Sequence, residues 1–142
     1  MFKPPIYLKD KWMFYILWIA GIYNIVWGTS VILFPTLFFD LTGMPLPNYL
    51  MIWQCVGMIV GVYGVGYIIA AYRPLVHWPI VLVGFLGKIF GPIGFAFYLL
   101  QGAFPLQFGL TIITNDLLWW IPFGLILYRA YQAGQVRLYA QE

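Results

Sequence analysis

Charge is what this 142-residue chain has least of. Asp, Glu, Lys and Arg make up 8% of it, against roughly a quarter in an ordinary soluble domain. With 63% apolar residues, so short a chain cannot hide its core behind so little polar surface. A soluble monomer is thereby excluded. So is a disordered chain, which needs low hydrophobicity and high net charge. The +3 excess is spread thinly between apolar blocks instead of gathering on one face or tail, which argues against nucleic acid as a partner. The single cysteine, Cys55, excludes an internal disulfide and any multi-cysteine metal or redox site. One histidine, His77, makes no zinc centre, which wants about four protein ligands or three plus water. No phosphate-binding glycine loop, catalytic triad, flavin motif or paired carboxylate is present, so no enzyme and no resident cofactor is expected.

What the chain does have is long uncharged runs. No charge falls between Lys11 and Asp40, or between Asp40 and Arg73. Each gap exceeds the ~20 apolar residues that cross a bilayer. The spacing predicts spans at 12–34, 49–71, 77–99 and 106–128, the last two carrying Lys88 and Asp116 respectively. Pro35, Gly43, Pro45, Pro47 and Asn48 mark the first loop, Arg73 and Pro74 the second, and Gln101, Gly102 and Pro105 the third. The expected fold is an all-α integral membrane protein, an antiparallel four-helix transmembrane bundle occupying residues 1–142 as one membrane domain. The first span is too long for a signal peptide and lacks its small-residue cleavage site.

Basic residues set the orientation. With the N-terminus in the cytoplasm, Lys3, Lys9, Lys11, Arg73, Arg129 and Arg137 all fall inside and none outside, as short-loop Lys and Arg do. Both termini are therefore expected in the cytoplasm, and the tail after Arg129 is expected to prolong the fourth helix briefly. Tyr15, Tyr49, Trp53, Tyr72, Trp78, Tyr98 and Tyr128 sit near span ends, where aromatic rings anchor at headgroup level.

Depth singles out a polar layer. At 1.5 Å per residue, Asn24, Lys88 and Asp116 all lie ~17–18 Å from the cytoplasmic ends of their spans, and Gln54 lies ~26 Å in. A mid-membrane charge costs about 2.5–3.5 kcal/mol even on the gentlest scale. An inward-facing pair of Lys88 with Asp116 is therefore expected, helped by Asn115 and Thr114, or the same two groups in neutral form sharing a proton. Glycines follow the same faces. Gly84, Gly87, Gly91 and Gly94 flank Lys88, Gly57, Gly61 and Gly64 follow Gln54, and Gly21 and Gly28 bracket Asn24. Stripes of this kind mark close helix contacts. Pro92 frees the carbonyl of Lys88 and Pro122 that of Leu118, acceptors that protein, water or ligand must satisfy. Trp27, Trp119 and Trp120 lie away from the membrane surfaces. They are candidate walls for a flat ring, although packing with one partner for the N–H is the commoner role.

The segments HWPIVLVG (77–84), GKIFGP (87–92), WQCVGM (53–58) and NDLLWWIPF (115–123) resemble a group of small four-span bacterial membrane proteins of unsettled function, over most of the chain. The overall plan also resembles that of DoxX-like proteins, a resemblance of architecture that implies a link to redox metabolism. A peroxide-reductase label carried by some of the first group implies reactive cysteines in a soluble fold, and Cys55 is a lone membrane residue. The resemblance implies a bacterial inner-membrane location.

Three functions follow. One is binding or carriage of an ion, proton or small molecule at the Lys88–Asp116 layer, since intramembrane ionisable residues are functional candidates by default. Another is a structural or assembly subunit, as a homo-oligomer or beside a membrane-complex partner, with the buried pair fixing helix register. A third is a redox component holding a quinone among the three tryptophans, with Lys88 or Asn24 donating to a ring oxygen.

Overall fold

The structure is a computed structural model and describes residues 10–134. Lys3, Lys9 and Arg137 and the tail beyond 134 lie outside the described residues. Four helices are long and apolar enough to cross a membrane: α1 (Lys11–Leu33), α3 (Leu50–Tyr72), α4 (Trp78–Leu100) and α5 (Leu106–Gln132). Each starts within a residue or so of where the charge gaps and turn residues place it. They are apolar on all sides, with Ile19, Val26, Met58, Ile69, Phe90 and Ile121 exposed. A helix of that kind is buried in a large protein or in lipid, and a chain of this length points to lipid. The first loop holds a feature the turn residues did not foretell, a short helix α2 (Leu37–Thr42) closed by Gly43 at φ 69°. It forms because Phe38 and Phe39 have a surface to cover. Both rings pack on Trp53 of α3, at 5.7 and 5.4 Å between centroids.

α1 and α3 make the closest pair, and α4 pairs with α5, while α3 and α4 touch more sparsely. Glycine explains the first contact. A Cβ on Gly28 would collide with the Gly57 carbonyl and lie 2.8 Å from the Gly61 nitrogen, and one on Gly57 would lie 2.7 Å from Val31. Only helices without side chains at the crossing approach so closely. Gly61 itself would meet nothing within 4 Å; its backbone is the surface that Gly28 rests on.

α5 is not a uniform α-helix. It opens with a 3-10 turn (Leu106–Phe108) and widens into a π turn over Ile113–Leu117 before resuming at Leu118. The Leu118 N–H reaches back to the Ile113 carbonyl, five residues away. One further residue per turn is accommodated there, and such turns recur at functional sites.

Along its length the bundle is layered. An apolar core gathers the start of α1 (Met13, Leu17, Ala20), the end of α3 (Tyr67, Ala70, Ala71), the start of α4 (Val81) and the end of α5 (Phe123, Ile126). At the other end Trp27, Phe38, Phe39, Trp53 and Phe108 form an aromatic cluster. Between these two apolar layers lies the polar one.

Candidate polar site

All four spanning helices meet around a cavity of about 210 Å³ lined by Asn24 of α1, Ile59, Val60, Tyr63 and Tyr67 of α3, Gly84, Gly87 and Lys88 of α4, and Asn115 and Asp116 of α5. Lys88 is 6% exposed and Asn24 4%. Of the polar residues that depth singles out, the fold thus brings Asn24, Lys88, Asn115 and Asp116 together. It does not bring Gln54. That side chain donates from Nε2 to the Ile32 carbonyl at 3.0 Å, satisfying one of the acceptors left open in the last turn of α1.

Within the cavity Lys88 and Asp116 do not form the direct ion pair that neutralisation alone would favour. The one ion pair among the described residues joins Arg129 to Asp10 at 2.7 Å. The Lys88 ammonium instead donates to the backbone carbonyl of Asn115 at 2.5 Å. The π turn is the reason. Widening the helix leaves carbonyls open to outside donors, and two are taken: Lys88 binds that of Asn115, and the Trp119 indole donates to Thr114 at 3.0 Å. The ammonium is further enclosed by the rings of Tyr67, Trp119 and Phe123, with centroids at 5.8, 5.8 and 5.7 Å, a cation–π surround that partly replaces lost hydration. The Asp116 carboxylate is seated against α4 at Gly91, where a Cβ would lie 2.9 Å from Oδ2.

The carbonyl of Lys88, freed by Pro92, also has its donor. Trp120 Nε1 reaches it from α5 at 2.8 Å. The adjacent tryptophans Trp119 and Trp120 therefore close two gaps in backbone hydrogen bonding. They do not wall a ring site with Trp27, which packs edge-on against Trp53 at 5.7 Å in the aromatic cluster. None of the three lines the cavity.

The glycines of α4 separate by role. Gly84 accepts the Tyr67 ring, whose Cε1 would lie 2.5 Å from a Cβ there, and Gly91 accepts Asp116. Gly87 would meet nothing within 4 Å and faces the cavity, so it is a gap in the wall and not a packing contact. Tyr67 and Tyr63 are polar lining that sequence reasoning passed over; the signal for Tyr67 is its place on α3 opposite Gly84.

Much hydrogen-bonding capacity around the cavity is unused. The Asn115 Oδ1 is buried without a partner. Among the described residues no hydrogen bond reaches the side chain of Asn24, the Tyr67 hydroxyl or the Asp116 carboxylate. Compared with known proteins, the chain matches no family model, no curated protein and no solved structure.

Proposed function

We propose that this protein is a multi-pass protein of the bacterial inner membrane that binds a small polar ligand or head group in the cavity around Lys88 and Asp116. The observation that carries this reading is the Asn115 Oδ1, buried without a hydrogen-bond partner at a cavity lined by further polar side chains. A buried polar group left without a hydrogen bond costs about 1–3 kcal/mol. The Asn115 Oδ1 faces a cavity also lined by Asn24, Tyr67 and Asp116, whose side chains accept or donate no hydrogen bond within the described residues; a molecule that hydrogen-bonds to the set accounts for it.

The same proposal includes an antiparallel bundle with both termini in the cytoplasm. Arg73 in the second loop and Arg129 at the end of α5 support it, since both then lie on the cytoplasmic side. So does the Asp10–Arg129 bridge, which ties the start of α1 to the end of α5. Architecture at this level is also what the resemblance to DoxX-like proteins implies.

Native mass spectrometry of protein released from its own membrane tests the reading. A bound small molecule is expected on the wild type and absent from Asn24→Leu and Asp116→Leu at equal folded yield. A bare wild-type chain, together with an experimental map showing the cavity collapsed around Lys88, would overturn it.

A further inference from the structure

Apolar side chains flank the polar layer at both ends. Toward the α3–α4 turn, Tyr67 packs edge-on against Phe123 at 5.1 Å within a core where Leu17, Val81, Phe123 and Ile126 have no exposure at all. Toward the other end Trp53 joins Trp27, Phe38 and Phe108 in a single aromatic layer. The flank between α3 and α4 is different. There the cavity is lined by residues that are also on the outer surface: Ile59 at 51% exposure, Tyr63 at 37%, and the exposed Gly87, whose missing side chain leaves open space. This flank belongs to the apolar belt of the spans, so it faces hydrocarbon. Beside it runs a second, apolar groove of about 370 Å³ between the same two helices, lined by Val62, Tyr63, Gly66, Pro79, Ile80 and Val83. Tyr63 is common to groove and cavity.

We infer that the ligand arrives sideways from the bilayer through the window formed by Ile59, Tyr63 and Gly87, and that it is a neutral, hydroxyl-headed lipid whose head occupies the polar cavity and whose chain stays in the hydrocarbon outside the window. This rests on the reading of the cavity as a ligand site. The neutrality of the head follows from the lining. Lys88 and Asp116 together carry no net charge, either as an ammonium with a carboxylate or as an amine with a carboxylic acid, so a head of either sign would leave an unbalanced charge in hydrocarbon. A hydroxyl suits both halves of the lining, because it donates to Asn115 Oδ1 or Asp116 and accepts from the Asn24 amide or Tyr67 hydroxyl.

Two reagents on the protein in lipid nanodiscs test the route and the class. Dicyclohexylcarbodiimide, which partitions into hydrocarbon, is expected to modify Asp116, while a water-soluble carbodiimide leaves it unmodified. A photoreactive long-chain alcohol with its diazirine beside the hydroxyl is expected to crosslink to cavity residues. The unlabelled alcohol should displace it, and the fatty acid and alkylamine of equal chain length should compete about a hundredfold more weakly. Gly87→Trp, which plugs the window, should abolish both reactions. Gly94→Trp on the same helix also enters open space but lies outside the cavity, and should leave both intact. If Gly87→Trp fails to fold, Ile59→Trp narrows the same window from α3.

Equal modification of Asp116 by the water-soluble reagent would overturn the lateral route and leave the polar-ligand reading standing. Equal competition by the acid or the amine would overturn the neutral head. No crosslink to the alcohol, with Asp116 unmodified by dicyclohexylcarbodiimide, would overturn this inference, whereas the reading beneath it falls only with a bare wild-type chain and a collapsed cavity.

Discussion

At Gly91 a single hydrogen atom decides where a carboxylate sits. The Asp116 side chain occupies the space a Cβ would take, with Cγ 3.3 Å from that position, and both partners are held on helices that pack against each other. Gly91→Ala is therefore expected to turn the Asp116 carboxylate out of its seat toward the cavity, at the low end of the overpacking range, about 1 kcal/mol, because the contact is the end of a flexible side chain. Gly87→Ala, one turn earlier and facing open space, should be neutral or stabilising by up to about 1 kcal/mol, alanine being the better helix former. Thermal unfolding of the two variants in the same detergent checks the contrast, and equal losses would mean that the α4 glycines form one uniform packing seam. A second residue-scale consequence concerns Asp10–Arg129. Its arginine side chain is 44% exposed, so Asp10→Asn should cost no more than about 1 kcal/mol, measured in the same way.

Between α4 and α5 the contacts form a chain of compensations for two broken helices. Pro92 cannot donate to Lys88, so the Trp120 indole does; the π turn opens Thr114 and Asn115, so Trp119 and Lys88 fill them. If Trp120 serves the gap made by Pro92, their substitutions must be coupled. Trp120→Phe alone is expected to cost about 1 kcal/mol, in the range for hydrogen bonds between membrane helices. In a Pro92→Ala background, where residue 92 regains its N–H, that cost should largely vanish. A double-mutant cycle reads the coupling directly, and simple additivity would show that the indole contact is incidental. Much of this region is legible in the sequence: the spans from the gaps between charges, the shared depth of Asn24, Lys88 and Asp116 from the helical rise, the freed Lys88 carbonyl from Pro92. The π turn is not, because nothing in the residues Ile113–Leu117 distinguishes it from an ordinary helical turn. With it goes the true partner of Lys88, a main-chain oxygen that no side-chain pattern reveals. Residue type alone draws Gln54 into the polar layer, although its depth already sets it apart. Trp27 groups with Trp119 and Trp120 in the sequence because distance from the surface says nothing about which layer of the bundle a ring joins.

Over the whole molecule, stability and the polar layer pull in opposite directions. The bundle has an apolar core at one end, an aromatic cluster at the other, and a glycine crossing between α1 and α3 that depends on no charged residue. In the middle it holds Lys88 and Asp116 without a direct bond between them, beside an amide and a carboxylate that lack hydrogen bonds. Replacing buried ionic groups by apolar ones of similar size is often neutral or stabilising by about 1–4 kcal/mol. The double variant Lys88→Met, Asp116→Leu is accordingly expected to fold at least as well as the wild type, with an unchanged or raised midpoint of thermal unfolding, while losing any bound small molecule. A polar layer that served only to hold the helices together would give the reverse, a sharp fall in folded yield. Gly28→Leu provides the calibration, because it drives a side chain into the Gly57 and Gly61 backbone and should abolish folding without touching a polar side chain. If the double variant behaves like Gly28→Leu, the charges belong to the scaffold. If it remains folded but empty, the scaffold is complete without them, and their place at mid-membrane is explained by what they bind.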